Sequence, residues 1–107
     1  MATQNTIKEL ENIEQVPEEV EEMAAEQAAA LESGGADAIV IETQSDLVET
    51  EAALRGALHA CSIPVGISFT FDAGEHNDHT MMGVSVPEVY ALAVAEKASF
   101  VGANCGA

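Results

Sequence analysis

Positive charge is scarce in this sequence. Three Lys and Arg side chains stand against 19 Asp and Glu, which gives a formal net charge of −16. Nucleic acids and anionic membranes are bound through clusters of basic residues, so the charge excludes both as expected partners. High solubility explains the acidity, and adaptation to high salt, in which self-repulsion is screened, is the alternative explanation.

Cysteines and long apolar runs are also scarce. Cys61 and Cys105 are the two cysteines of the chain, and two are too few for a disulfide framework. The N-terminus is polar and acidic, unlike a signal peptide, and no apolar run approaches the ~20 residues that span a bilayer. These absences predict a cytoplasmic protein with reduced thiols.

Aromatic side chains are few. The chain of 107 residues has no Trp, one Tyr and three Phe, and alanine supplies much of its 48% apolar content. Such a length suits one domain with a modest core. Residues 1–16 are polar and are predicted as a lead-in, and residues 17–107 are predicted as the folded segment.

Helical and strand-like segments alternate after the lead-in. This order is typical of right-handed βαβ units with a parallel sheet. The strand ends follow one another at intervals of about 30 residues, the repeat of a (β/α)8 barrel. The sequence therefore predicts an α/β fold, a partial TIM barrel with about three strands and three helices. The predicted segments are a helix over 17–33, a strand over 38–41, a helix over 47–60, a strand over 65–71, a helix over 86–97 and a strand over 99–103.

Local signals predict details of these segments. The β-branched run over 38–41 indicates a strand buried on both faces. Gly34 is predicted to take the left-handed conformation that ends the first helix. Ser45 or Asp46 is predicted to cap the second helix, and Ser85 to open a capping box for the third.

Two residues at predicted strand ends carry reactive groups. Glu42 closes the first strand, and Cys105 follows the third between Gly102 and Gly106. Sites of barrel folds are built at the carboxyl ends of strands, so Glu42 is predicted to bind an ammonium group or accept a proton. The alternative is that Glu42 is a solvated residue at a strand end with no role in a site. Cys105 is a candidate metal ligand or nucleophile, with an inert buried thiol as the alternative.

The long polar loop over 72–83 holds a second cluster of ionisable residues. His76 and His79 have a His-x-x-His spacing that fits a metal site, although a solvated loop is the usual outcome of such a pattern. Met81 and Met82 are predicted to pack rather than to bind a ligand. Cys61, at a predicted helix end, is predicted to fill the core or to be exposed without being reactive.

Several segments, taken together, resemble the homocysteine S-methyltransferase family, which includes cobalamin-dependent and betaine-dependent enzymes. The resemblance covers about residues 17–107, and the ordered set of segments is more specific than any one of them. The matching segments are 34–43 and 45–46 for the family's fourth strand region, 64–65, 68–71 and 80–83 for the next strand and its loop, and 102–105 for the motif with the first zinc cysteine.

The resemblance implies a (β/α)8 barrel in which three cysteines hold zinc, and zinc binds homocysteine as its thiolate. Cys105 would be the first zinc ligand, and Glu42 would hold the amino group of homocysteine. Thr70 and Asn104 would bind substrate at the same edge of the sheet, and Asn104 would also help to shape the strand end that carries the zinc cysteine. The implied partners are homocysteine and a methyl donor, which is a methylcorrinoid, a betaine or an S-methyl compound. The implied product is methionine.

The sequence also departs from the family pattern. It lacks the later Cys-Cys pair that completes the zinc site and the early strands with their Gly-rich first turn, and one cysteine does not make such a site. We therefore expect an internal segment of a barrel, inactive as an isolated monomer. The alternatives are a non-catalytic α/β module that binds a small molecule or another chain, and a partial barrel that self-associates through open sheet edges.

Overall fold

Three helices alternate with three strands in the computed structural model, which describes residues 16–106. The predicted alternation is confirmed, although several boundaries differ by one or more residues. Residues 1–15 of the lead-in predicted over 1–16 lie outside the described residues, and its last residue, Val16, begins the first helix. The elements are α1 (Val16–Ser33), β1 (Ile39–Gln44), α2 (Leu47–Ala60), β2 (Val65–Phe69), α3 (Val86–Ala95) and β3 (Phe100–Ala103).

The strands form one parallel sheet in the order β1-β2-β3. Ile39 lies opposite Val65, and Ile67 lies opposite Val101. Parallel neighbours joined by helices are the βαβ units that the sequence predicts, and the sheet is open, as in a partial barrel. Because the strands share one direction, their carboxyl ends lie along one edge of the sheet, which we call the carboxyl edge.

The central strand, β2, is buried on both faces. Val65, Ile67 and Phe69 are completely shielded and belong to the core that the helices cover. On the opposite face, Gly66 lies against the ring of Phe100, and a Cβ at residue 66 would overlap that ring. The absence of a side chain at Gly66 therefore makes room for an aromatic ring from β3.

The double burial predicted for residues 38–41 is wrong. Ile39 is 7% exposed, but Val40 is 45% exposed. β1 lies at the edge of the sheet, and the face that carries Val40 has no covering layer among the described residues. The apolar run therefore alternates between a buried and an exposed face.

The helices cover one face of the sheet with small side chains. Leu54 of α2 is completely buried, and Ala28 of α1 and Ala57 of α2 belong to the same core. α1 approaches α2 so closely that a Cβ at Gly56 would overlap the carbonyl oxygen of Glu21. Close contact between small residues thus builds a core that has few aromatic rings. Within the described residues, no helix has the length and apolarity needed to cross a membrane.

The helix ends largely follow the local signals. Asp46 caps α2, and Ser85 opens the predicted capping box of α3. The left-handed residue after α1 is Gly35, with φ 103°, and not Gly34 as predicted. The Gly34 amide still donates to the carbonyl oxygen of Ala30 at 2.9 Å, so the chain leaves the helix one residue later.

Candidate functional site

The carboxyl edge collects the four site residues predicted from sequence. Glu42 lies near the end of β1 and is exposed, and Thr70 directly follows β2. Asn104, which is half-buried, and Cys105, which is exposed with a free thiol, directly follow β3. The parallel order of the strands therefore brings these residues to one edge, as expected.

The end of β1 is irregular. The pairing of β1 with β2 shifts register between Ile41 and Gln44. Within this bulge Thr43 is left-handed, with φ 60°, a conformation that β-branched residues rarely adopt. The sequence predicts that β1 ends at Glu42. With the bulge, β1 continues for two further residues, to Gln44. Cys105, after β3, is left-handed as well, with φ 55°.

Asn104 connects all three strand ends. Its Oδ1 accepts hydrogen bonds from the Thr43 amide at 3.1 Å and from the Ser68 hydroxyl at 2.6 Å. Its Nδ2 donates to Thr43 Oγ1 at 2.8 Å and to Cys105 Sγ at 3.1 Å. We call Thr43, Ser68, Asn104 and Cys105 the Asn104 network. It links β1 and β2 to the residue that carries the thiol.

Gln44 holds the neighbouring part of the edge. Its carbonyl oxygen accepts from the Thr70 amide at 2.9 Å, its Oε1 accepts from Thr50 Oγ1 at 2.9 Å, and its Nε2 donates to the Glu42 carbonyl oxygen at 2.9 Å. The Thr70 backbone is thus fixed, while its Oγ1 is buried without a hydrogen-bond partner among the described residues. A buried hydroxyl in this condition is costly, and a polar group bound at the edge would relieve it.

The loop between β2 and α3 is tied to the loop that follows β1. Thr80 is 1% exposed, and its Oγ1 donates to the Ser45 carbonyl oxygen at 2.7 Å and accepts from the amides of Met82 and Val84. The turn closed by Thr80 leaves Met81 74% exposed and Met82 63% exposed. The predicted packing of these two methionines is therefore wrong.

The loop histidines His76 and His79 both lie near Asp78 and act on its carboxylate. His79 Nδ1 lies 2.9 Å from Asp78 Oδ1, and this hydrogen bond lowers the pKa of Asp78. In residues 16–106, no three His, Cys, Asp or Glu side chains come close enough together to hold a metal ion. At the carboxyl edge the described residues therefore offer a zinc ion one thiol, that of Cys105, and not a ligand set.

The other cysteine has a structural environment. Cys61 follows α2 and is packed against the apolar core, and its Sγ lies 3.7 Å from the Ile63 carbonyl oxygen. This agrees with the predicted core-filling role. The two thiols thus differ in place, since Cys105 is at the carboxyl edge and Cys61 precedes the start of β2.

Sequence reasoning missed three polar residues of this edge. Ser68 carries a recognisable signal, because it is a hydroxyl within the buried apolar strand β2. Thr43 and Gln44 carry no such signal, because the bulge that brings them to the edge depends on a left-handed residue.

A comparison with known families agrees with this geometry. The family model described as homocysteine S-methyltransferase matches residues 3–107, nearly the whole chain. Neither a curated protein nor a solved structure matches the chain. The family match spans all three strand ends of the carboxyl edge and agrees with the resemblance of the individual segments. The chain belongs to the homocysteine S-methyltransferase family.

Proposed function

We propose that this chain forms part of a site at which a methyl group is transferred to the sulfur of homocysteine. The observation that carries the proposal is the pair of hydrogen bonds between Asn104 and Thr43, which joins the end of β1 to the end of β3. Glu42 precedes Thr43, and Cys105 follows Asn104. A carboxylate at this edge suits the amine of an amino acid, and a thiol at the same edge would supply one ligand to a metal ion that binds the substrate sulfur.

Glu42 and Thr70 supply polar contacts for the substrate in this proposal. The Glu42 carboxylate is exposed, and an ionised carboxylate forms a charge-assisted hydrogen bond with a protonated amine. The Thr70 hydroxyl is buried without a partner among the described residues. We assign Glu42 to the ammonium group of homocysteine and Thr70 to a second polar group of the same molecule.

Methyl transfer needs sulfur in its nucleophilic, thiolate form. The S–C bond forms as the bond between the donor and the methyl group breaks, and the thiol proton is lost beforehand. Zinc lowers the pKa of a thiol that it binds, which would here be the thiol of homocysteine. We assign Cys105 as one ligand of that zinc ion. Completing that zinc site needs ligands beyond the described residues. We propose a donor among methylcorrinoids, betaines and S-methyl compounds.

We also propose a reducing, cytoplasmic setting without a nucleic-acid partner. Cys61 and Cys105 are both free thiols, which suits a reducing compartment. The net charge of −16 repels phosphate backbones. The expected partners are homocysteine and the methyl donor.

A self-associating scaffold is the second candidate function. Within residues 16–106 the outer edges of β1 and β3 have no neighbouring strand, and Phe100 and Val101 of β3 are each 41% exposed. Unpaired strand edges recruit further strands. Sedimentation velocity over a range of chain concentrations tests this function. A mass that rises with concentration supports it, and a constant monomer mass contradicts it.

Ligand titration tests the proposed homocysteine site. We expect Glu42→Gln to weaken homocysteine binding about tenfold, because a charge-assisted hydrogen bond is lost. Binding of 4-mercaptobutyrate, which is homocysteine without its amino group, should not change. Glu26→Gln, on the exposed side of α1, is the matched control and should bind both ligands as the wild type does. Equal losses for both ligands in Glu42→Gln would contradict the assignment.

A further inference from the structure

The Asn104 network includes a residue that is not predicted as a site residue, Ser68. Ser68 is 8% exposed within the central strand, and its hydroxyl donates to Asn104 Oδ1 at 2.6 Å. Its side-chain hydrogen bond goes to Asn104 rather than to Glu42 or Cys105. The side chain of Ser68 is therefore connected to the site through the Asn104 amide.

The hydrogen-bonding capacity of that amide is fully used. A side-chain amide has two lone pairs on its oxygen and two N–H groups. The Thr43 amide and the Ser68 hydroxyl occupy the oxygen, and Thr43 Oγ1 and Cys105 Sγ accept the two donors. The positions of oxygen and nitrogen in the Asn104 amide are unambiguous. The backbone N–H of Thr43 is a donor, so the atom that faces it must be the oxygen. The amide has no free group left for a substrate.

The network also maintains two unusual backbone conformations. Thr43 and Cys105 are both left-handed, and residues in this region persist where surrounding interactions hold them. Asn104 bonds to both of them, through the backbone and side chain of Thr43 and through the sulfur of Cys105. One amide therefore contacts both left-handed residues at the two strand ends.

We propose that Ser68 and Asn104 are positioning residues of the homocysteine site, an inference that rests on the proposed function. Ser68 fixes the rotation of the Asn104 amide. The amide then holds Thr43, next to Glu42, and Cys105 in a fixed relative position. In this role the Asn104 amide acts through Thr43 and Cys105 and not through the substrate contact that the resemblance also implies, and the dependence on Ser68 is new.

Hydrogen exchange of the Thr43 amide in the full chain measures the network directly. Ser68→Ala should speed this exchange about fivefold, because the amide that accepts the Thr43 N–H is no longer fixed. Ser68→Thr keeps the hydroxyl and should restore the wild-type rate. The Thr70 amide, bonded to Gln44, is the internal control and should not change. Ser62→Ala, an exposed serine, is the matched control variant.

Two substitutions of Asn104 keep the test decisive if Ser68→Ala does not fold. Asn104→Asp retains oxygen acceptors for Thr43 and Ser68, so the Thr43 amide should remain protected. Asn104→Ala removes the acceptor and should speed Thr43 exchange about tenfold. Wild-type exchange of Thr43 in Asn104→Ala, or in a folded Ser68→Ala chain, would overturn the proposal.

Homocysteine affinity separates this inference from the proposed function. We expect Ser68→Ala to bind homocysteine about fivefold more weakly and Ser68→Thr to bind it as the wild type does. If the wild-type chain does not bind homocysteine, the proposed function fails, and Thr43 exchange still decides whether the network exists. If Ser68→Ala binds homocysteine as tightly as the wild type, the positioning role is overturned and the proposed function stands.

Discussion

The helical layer and the carboxyl edge of this protein are held together by different forces. In the layer, α1 meets α2 at Gly56, and side chains such as Leu54 are completely buried. At the edge, Asn104 uses hydrogen bonds to hold Thr43 and Cys105, two exposed left-handed residues. Packing makes the first region intolerant of altered volume, whereas the second depends on individually weak polar contacts. Substitutions in the layer should therefore affect folding, and substitutions at the edge should affect binding.

The largest effect is expected from truncation of a core side chain in the layer. Leu54→Ala should lower the free energy of unfolding by about 3 kcal/mol, because it removes completely buried methyl groups and leaves a cavity. Urea denaturation measures this loss. Leu31→Ala, at a position 50% exposed on α1, is the control and should cost much less. Similar losses at both positions would show that the layer is not tightly packed.

The second largest loss of stability is expected where α1 contacts α2. Gly56→Ala should destabilise the chain by about 2 kcal/mol, because the added methyl group meets the carbonyl oxygen of Glu21. Gly102→Ala is the matched control, since a Cβ there meets no described residue within 4 Å. Thermal unfolding of both variants checks the difference. A Gly56→Ala chain as stable as Gly102→Ala would argue against the close approach of α1 and α2.

At the edge we expect a smaller change in stability accompanied by a change in binding. Asn104→Ala removes the amide that joins the strand ends, and it should cost about 1 kcal/mol of unfolding free energy while weakening homocysteine binding. Urea denaturation and ligand titration of the same sample measure the two effects. If Asn104→Ala destabilised the chain as much as Leu54→Ala does, the proposed difference between the helical layer and the carboxyl edge would be wrong.

The smallest expected effect is on the pH dependence of stability, through the surface carboxylate of Glu88. Hydrogen bonds from the Ser85 backbone and side chain lower the pKa of Glu88 from its ordinary value of 4.5. A carboxylate whose pKa is lowered by folding stabilises the folded state above its ordinary pKa, and this contribution disappears as the pH falls through the lowered value. The melting temperature of the wild type should therefore drop slightly more below pH 4.5 than that of Glu88→Gln. Identical pH profiles would contradict this contribution from the capping box.

The sequence predicts the order of elements well, because its signals are local. Asp46 and Ser85 mark helix starts through contacts with residues three positions away, and apolar runs mark the strands. Exposure within β1 was not predictable in this way. An apolar run does not show whether both faces of its strand are covered, and Val40 is exposed because its face of the sheet has no covering layer among the described residues.

The candidate site is predictable in its location but not in its internal contacts. Glu42 and Cys105 follow apolar strands, and the parallel arrangement brings strand ends to one edge. Asn104 contacts Ser68, which is 36 positions away in the sequence, and Thr43, which is 61 positions away. These contacts depend on strand register and on the left-handed Thr43, and neither is encoded in a local pattern.

Mapping of homocysteine binding by amide chemical shifts in the full chain tests the central claim most directly. The account predicts that homocysteine shifts the amide resonances of Glu42, Thr43, Thr70 and Cys105, which belong to the carboxyl edge. Shifts confined to the opposite edge, where β2 begins at Val65, or no shifts at any homocysteine concentration, would contradict it.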